Sequence, residues 1–74
     1  MTLSEGKKAC TYVVEDINLK EETKQRLHML GLTRGTSVHI LNRKNSGTMI
    51  IKLRGTRFAI GRKIAEGITT GGAV

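Results

Sequence analysis

The sequence predicts a small, mostly β domain with about five short strands and one main α-helix placed after the first strand. Short runs of β-branched and alternating apolar residues are separated by turns that contain glycine or asparagine. Only one segment, between residues 19 and 30, has the apolar spacing of an amphipathic helix. The chain has 74 residues and no proline, which fits one domain whose strands all donate to a ladder.

The amino-terminal part of the chain combines a polar stretch with the first predicted strand. Residues 1–8 are polar, so we expect a flexible lead-in with at most Leu3 as an anchor. Residues 9–17 are rich in β-branched and aromatic side chains, which favour a pleated and half-buried surface. The alternation of this strand places three side chains on one face, namely Cys10, Tyr12 and Val14.

The start of the main helix is predicted from a capping pattern. Asn18 precedes Glu21 by three residues, which resembles the capping box in which each side chain satisfies a free backbone amide of the first turn. Acidic residues in the first turn also favour the positive end of the helix dipole. We therefore expect a helix over 19–30 with Asn18 as its cap.

The end of the helix is marked by a glycine. Leu27 and Leu30 lie one turn apart on the apolar face, so both are expected in the core. Gly31 follows this face directly, which predicts a left-handed cap that turns the chain out of the helix. Leu32 is then expected to contact the last helical turn.

The rest of the chain is predicted to form short strands joined by tight turns, because its alternating apolar residues are interrupted by glycines. The predicted elements are a turn at 33–36, strands at 38–42 and 49–54, a reversal at 55–56, a strand at 57–60, a helical turn at 62–66, a closing strand at 68–70 and a frayed tail at 71–74. A domain at 9–70 with this order predicts a small SH3-like β-barrel with the helix over one open end. One core is expected from ten residues: Leu27, Leu30, Val38, Ile40, Ile51, Leu53, Phe58, Ile60, Ile64 and Ile68.

Size and charge limit the classes of function. Thirteen Lys and Arg against six Asp and Glu give a net charge of +7, which raises the hypothesis of a nucleic-acid partner. The basic residues are scattered, and Tyr12 and Phe58 are the only aromatic residues, so a stacking platform for bases is not expected. A chain of this length also seldom shelters a catalytic cleft. The sequence therefore favours a binding module over an enzyme.

The location of the protein is predicted from its cysteine and its hydropathy. A single cysteine excludes an internal disulfide, and small secreted domains usually need such links. No apolar run has the length of a signal peptide or a membrane span. We therefore expect a cytoplasmic protein that is neither exported nor inserted into a membrane.

Side chains that could support chemistry are few. Cys10, His28 and His39 are weak metal-ligand candidates, because they fall on three different predicted elements and lack the close spacings of zinc sites. No glycine-rich phosphate loop is present in the sequence. We therefore expect no cofactor, no tight metal site and no catalytic residue.

Three ordered segments of the sequence resemble the FeoA family. They are QRLHMLGLTRGTSV at 25–38, Leu53-Arg54-Gly55, and FAIGRKIAEGI at 58–68. The family pattern is a helix ending in Arg-x-Leu-x-x-Leu-Gly-Leu, a turn usually written Pro-Gly, and a glycine-linked hairpin that leads into x-Ala-Leu-x-x-x-x-Ala-x-x-Ile. The resemblance covers roughly 9–70, with Arg34 where the family commonly has proline and Ile60 in place of the usual leucine.

This resemblance implies a cytoplasmic, non-enzymatic accessory protein of bacterial ferrous iron uptake. Its implied partner is a FeoB-like membrane transporter with a cytoplasmic GTPase domain, and the family has no shared set of metal ligands. The same SH3-like module forms the carboxy-terminal domain of DtxR-type regulators, so a stand-alone metal-sensing domain is one alternative. A small basic barrel that binds nucleic acid is the other, and self-association is left open.

The predicted contact with the partner lies at the helix end and the turn that follows it. Met29, Leu32 and Arg34 are expected to project there. A basic stretch is expected to contribute four further residues: Arg54, Arg57, Arg62 and Lys63. An arginine-rich rim around a small apolar centre is the composition that protein interfaces favour.

Overall fold

The computed structural model describes residues 1–73 and contains one five-stranded antiparallel sheet, two α-helices and an amino-terminal 3₁₀ turn. In chain order these elements are the 3₁₀ turn (Leu3–Glu5), β1 (Thr11–Ile17), α1 (Glu21–Met29), β2 (Ser37–Arg43), β3 (Met49–Leu53), β4 (Thr56–Ile60), α2 (Arg62–Glu66) and β5 (Ile68–Ala73). The predicted mostly β fold with one main helix after the first strand is confirmed. The short helix α2 has the bounds that the sequence predicted.

The sheet is open in the order β4-β3-β2-β1-β5. Within residues 1–73 no strand pairing joins the edge strands β4 and β5, so the predicted closed barrel is not confirmed. The amino-terminal 3₁₀ turn contacts α2 and β5 instead. This turn thus links β5 to α2, the helix that follows β4. No helix in this described part of the chain is both long and apolar enough to cross a membrane.

The core is formed by alternate residues of the strands and by single residues from the other elements. Seven of the ten predicted core residues are buried: Leu27, Val38, Ile40, Ile51, Leu53, Ile60 and Ile68. Phe58 and Ile64 are only partly buried against this cluster. Leu30 is 46% exposed, so its predicted place in the core is wrong. Seven further buried residues complete the cluster: Leu3, Tyr12, Val14, Ile17, Leu32, Met49 and Ala65.

The amino-terminal residues are packed, in contrast to the flexible lead-in expected over 1–8. Leu3 is fully buried in the core. The guanidinium of Arg43 donates hydrogen bonds to the carbonyl oxygens of Gly6 (2.7 Å) and Ser4 (2.8 Å). A single buried leucine and a bidentate arginine therefore hold this segment, and neither produces a periodic pattern in the sequence.

A hydrogen-bonded carboxylate in the 3₁₀ turn makes part of the stability dependent on pH. The backbone N–H of Thr2 donates to the carboxylate of Glu5 at 2.8 Å, and the Thr2 hydroxyl donates at 3.3 Å. These bonds hold the pKa of Glu5 below its ordinary value, and the backbone bond has the larger effect. The folded state therefore protonates Glu5 less readily than the unfolded state does. The stability that the ionised carboxylate contributes is present above about pH 5 and is lost as the pH falls through the lowered pKa.

We expect Glu5→Gln to reduce the acid sensitivity of the fold. Between about pH 6 and pH 3 its melting temperature should fall less than that of the parent, measured by circular dichroism. Glu66→Gln is the control, because the Glu66 carboxylate forms no hydrogen bond or ion pair among the described residues. An equal fall in melting temperature for the parent and Glu5→Gln between these pH values would contradict the role given to Glu5.

Helix α1 begins at Glu21, two residues later than predicted, and its cap is Lys20 rather than Asn18. The predicted capping box is therefore wrong. The reason is tertiary: the N–H of Asn18 donates to the carbonyl oxygen of Gly67 at 2.7 Å, which holds Asn18 beside the start of β5. Leu19 is partly buried against the core, so the chain continues for two more residues before it turns into the helix.

Strand β5 is longer than predicted and enters the segment expected to be a frayed tail. It continues from the predicted span 68–70 to Ala73, which pairs with Tyr12 of β1. Register shifts along β1 accompany this pairing. Bulges of this kind increase the local twist of a strand. Val74, the last residue of the predicted tail, lies outside the described residues.

Candidate docking surface at the end of helix α1

Helix α1 ends in a hydrogen-bonded left-handed cap. The N–H of Leu32 donates to the carbonyl oxygen of Leu27 (2.9 Å), and the N–H of Gly31 donates to that of His28 (3.0 Å). This pair of bonds defines the Schellman motif, and Gly31 adopts the left-handed φ of +96° that it requires. Leu27 and Leu32 are both buried, so they form the apolar contact of the motif. The residues between them are turned outward.

Two adjacent apolar side chains are consequently exposed at this cap. Met29 is 87% exposed and Leu30 is 46% exposed. Leu30 was expected in the core because it lies one turn after Leu27. In the structure Leu30 is the C-cap residue, and Leu32 takes the core position in its place. The cap therefore presents a small apolar surface held on a rigid backbone.

Two arginines lie next to this apolar surface. Arg54 is at the tip of the β3–β4 hairpin, and its Cδ and Nε lie 3.1 and 3.2 Å from the point where a Cβ on Gly31 would stand. Its guanidinium stem thus packs on the helix cap, close to the negative end of the helix dipole. Arg34 follows the cap, and its Nε donates to the carbonyl oxygen of Glu15 at 3.0 Å. We call Met29, Leu30, Arg34 and Arg54 the cap surface.

A groove of about 280 Å³ lies beside the cap surface. Its lining residues come from β1, α1 and the following turn: Asp16, Ile17, Lys24, His28, Thr33 and Arg34. The carboxylate of Asp16 accepts a hydrogen bond from the N–H of Ile17 at 2.9 Å, so this acid is already engaged with the backbone. Lys24 and Arg34 provide two cations against this single carboxylate. The groove extends the basic character of the cap surface along α1.

The structure brings together three of the predicted contact residues on the surface and buries another in the core. Met29, Arg34 and Arg54 lie at the same end of the molecule, although they come from three separate segments. Leu32 is 1% exposed and belongs to the core, so its expected projection toward a partner is corrected. The Schellman motif explains this difference, because the apolar residue directly after its glycine commonly packs against the last turn of the helix.

The other predicted cations do not join this group. The side chain of Arg62 lies against Gly47 in the β2–β3 loop. Strand β3 separates that loop from the Arg54 hairpin by five residues, which is roughly 17 Å. Lys63 follows Arg62 on α2 and is exposed. Arg57 lies between the two ends, directly opposite Lys52. The predicted basic stretch is therefore spread along the sheet rather than clustered.

The weak metal-ligand candidates also lie apart. Cys10 is partly buried and packs against the core. His39 shares a hydrogen bond of 2.8 Å between its Nδ1 and the Thr11 hydroxyl. His28 lines the groove beside α1. In the described part of the chain, no three His, Cys, Asp or Glu side chains are placed to hold a metal ion.

Two features of this region have little or no local signal in the sequence. The contact between Arg54 and Gly31 joins segments more than twenty residues apart, and no local pattern indicates it. The groove has a weak signal in the sequence, because Lys24 and His28 are four residues apart and therefore share one face of the helix. The position of Asp16 opposite that face depends on how α1 packs on β1.

Comparison with known proteins gives consistent results for the family. The family model described as FeoA domain matches residues 1–70. No curated protein matches the sequence. The solution structure of a FeoA protein from Chlorobium tepidum is 31% identical, with a TM-score of 0.88 over 95% of this chain and 68% of that one. The crystal structure of Stenotrophomonas maltophilia FeoA in complex with zinc, described as a prokaryotic SH3 domain protein, is 26% identical, with a TM-score of 0.83 over 96% of this chain and 89% of that one.

The fold is also found in a regulator. The crystal structure of ScaR with bound Cd²⁺ is 21% identical, with a TM-score of 0.84 over 95% of this chain and 34% of that one. At this identity the likeness concerns the fold alone. The SH3-like fold predicted from the sequence is confirmed by these neighbours, while the closure of its barrel is not.

Proposed function

The chain belongs to the FeoA family, and from that premise we propose that it is a cytoplasmic accessory protein that docks on a FeoB-like GTPase-permease. The family is an accessory, non-catalytic one associated with ferrous iron transport. We assign no chemical step to this chain. The observation that supports docking is the cap surface, where Met29 and Leu30 are exposed on a rigid turn beside Arg34 and Arg54.

The apolar part of the cap surface is expected to determine how long the complex lasts. Fully burying a Met or Leu side chain contributes about 1.5 to 3 kcal/mol. Met29 is largely exposed in the free protein and would gain most of this on docking. The turn that carries it is already fixed by two backbone hydrogen bonds and the left-handed Gly31, so little backbone conformational entropy is lost on binding.

The charged part is expected to determine how fast the complex forms. The whole chain carries a net charge of +7, and Arg34 and Arg54 place two of these charges beside the apolar centre. Complementary charge mainly raises the association rate and suppresses wrong partners. We therefore propose that the docking face of the transporter's cytoplasmic domain is acidic around an apolar pocket.

The test is binding of the purified protein to the cytoplasmic domain of its cognate FeoB-like transporter. We expect Met29→Asp and Arg54→Glu each to weaken binding by about tenfold or more, since exposed anchor residues typically contribute more than 1 kcal/mol. Both side chains lie on the surface, so the melting temperature should stay within a few degrees of the parent. Calorimetric titration and a thermal melt measure the two effects.

Lys44→Glu is the matched control for these variants. Lys44 is exposed in the β2–β3 loop, at the other end of β3 from Arg54. Its reversal changes the net charge as much as Arg54→Glu and should change the dissociation constant less than threefold. Binding by the Met29→Asp/Arg54→Glu double variant within twofold of the parent would exclude the cap surface as the docking site.

A further inference from the structure

The two edges of the sheet are covered unequally. The outer edge of β5 is occupied by the amino terminus, because Thr2 forms a bridge with Thr69 and the Thr70 N–H donates to the Met1 carbonyl oxygen at 2.8 Å. The edge strand β4 has β3 as its one strand partner. Outside the ladders, no backbone hydrogen bond formed by residues 1–73 reaches β4. An uncovered edge of this kind is a template for an added strand.

The β3–β4 hairpin determines which groups of β4 face outward. Its two-residue turn has positive φ at Arg54 (51°) and Gly55 (82°), and Leu53 pairs with Thr56 across it. In such a type I′ hairpin the flanking pair is hydrogen-bonded, and bonded and non-bonded pairs then alternate. Arg57 and Ala59 are the non-bonded positions. Their backbone N–H and C=O groups therefore point away from β3, toward the open edge.

The side chains beside this edge carry uncompensated positive charge. Arg57 lies directly opposite Lys52, and Lys52 lies opposite His39 on β2. Two cations opposite each other destabilise a sheet by a few tenths of a kcal/mol to about 1 kcal/mol. Strands β3 and β4 contain no Asp or Glu, and the ion pair found among residues 1–73 joins Arg26 and Glu22 on α1. Neither strand therefore supplies a carboxylate to Arg57 or Lys52.

The other face of β4 is apolar and incompletely covered. Ile60 is buried, whereas Phe58 is only partly buried against the core. A strand added to β4 would place one of its side chains beside Phe58 and its neighbours beside Arg57 and Ala59. The site therefore fits a segment in which acidic and apolar residues alternate.

We propose that β4 is a strand-addition site for an extended acidic segment of a partner protein. The segment pairs with the outward backbone groups of Arg57 and Ala59, places a carboxylate opposite Arg57 and an apolar side chain next to Phe58. This inference goes beyond docking through the cap surface and does not depend on it. A second copy of the chain is a poorer occupant, because β4 has no acid and each copy carries a net charge of +7. Single-stranded nucleic acid is also poorer, because Phe58 faces the core and no other aromatic side chain lies on β3 or β4.

The experiment uses the isolated full chain and a synthetic capped peptide of sequence Glu-Val-Glu-Val-Glu-Val-Glu. Titration followed by amide NMR should show binding, with hydrogen exchange at the Arg57 and Ala59 amides slowed at least tenfold. A peptide of the same sequence that is N-methylated at its glutamates keeps the charge but cannot pair through those residues. We expect it to bind at least tenfold more weakly.

Two variants of the protein separate backbone pairing from charge. Ala59→Pro removes an outward N–H and no ladder bond, so the sheet is retained while peptide binding falls at least tenfold. Arg57→Glu should weaken binding by a similar factor. Lys20→Glu is the control: Lys20 follows Asn18 by two residues, and Asn18 bonds to Gly67 just before β5, at the opposite edge of the sheet from β4. Its reversal should leave binding within threefold of the parent.

Three results would overturn the proposal. Equal binding of the plain and N-methylated peptides would mean that charge alone attracts the probe. Tighter binding of a single-stranded oligonucleotide to the same amides would assign the surface to nucleic acid. Slowed exchange of the Arg57 and Ala59 amides with rising protein concentration, in the absence of peptide, would assign the edge to a second copy. None of these measurements involves the transporter, so their outcome is independent of the docking test.

Discussion

Replacing Leu53 with aspartate should abolish cooperative folding. Leu53 is 2% exposed and lies at the end of β3, where its side chain enters the core. An unpaired carboxylate in such a place costs several kcal/mol, and the total free energy of unfolding expected for this length is about 4 to 11 kcal/mol. The loss of the leucine side chain adds about 2 to 5 kcal/mol. The variant should therefore show no sigmoidal melt and collapsed amide dispersion by NMR.

The neighbouring position provides the control for this prediction. Lys52 lies on the opposite, exposed face of the same strand and faces Arg57 across the ladder. Lys52→Asp introduces the same side chain one residue away and replaces a repulsive pair by an attractive one. Its melting temperature should equal or exceed that of the parent. A Leu53→Asp protein that melts within a few degrees of the parent would show that the assigned register of β3 is wrong.

The second large effect is expected at Leu3, in the segment for which the sequence predicts a flexible lead-in. Leu3 is fully buried, and the 3₁₀ turn that carries it contacts both α2 and β5. Leu3→Ala should cost about 2 to 5 kcal/mol, because a leucine-sized cavity would remain in a thin core. For a domain of this size that corresponds to a fall of roughly 10 °C or more in the melting temperature.

Leu30→Ala is the matched control for Leu3→Ala, because it makes the same change at an exposed position. Leu30 is 46% exposed, so its truncation should change the melting temperature by about 2 °C or less. Thermal melts followed by circular dichroism provide both values. If Leu3→Ala and Leu30→Ala melted together, the first residues would be a flexible lead-in, as the sequence predicts, rather than part of the core.

The parts of the fold that could be predicted from the sequence are those determined by local patterns. Alternation along Met49, Ile51 and Leu53 indicates which face of β3 is buried, and all three are buried. The bounds of α2 follow from the glycines on either side of it. The burial of Leu3 could not be predicted, because a single apolar residue in a polar stretch has no periodicity. The predicted start of α1 is wrong because Asn18 bonds to Gly67, a partner nearly fifty residues away in the sequence.

The candidate site shows the same division between local and tertiary information. The glycine after α1 predicted the left-handed cap, and the Schellman bonds confirm it. Leu32 packs on the last helical turn, as the cap predicts, whereas Leu30 is the C-cap residue and is half exposed instead of buried in the core. The approach of Arg54 to this cap depends on where the β3–β4 hairpin ends, which only the assembled sheet determines.

Photo-crosslinking in cells tests docking through the cap surface most directly. A photoreactive amino acid is placed at position 29 of the protein, where the side chain is 87% exposed, and at position 46 in the β2–β3 loop as a control. Under ferrous iron uptake, irradiation should produce a covalent adduct between position 29 and the cytoplasmic domain of the FeoB-like transporter, identified by mass spectrometry. Position 46 should give little or none. An adduct with the transporter from position 46 and none from position 29 would contradict the proposed docking surface.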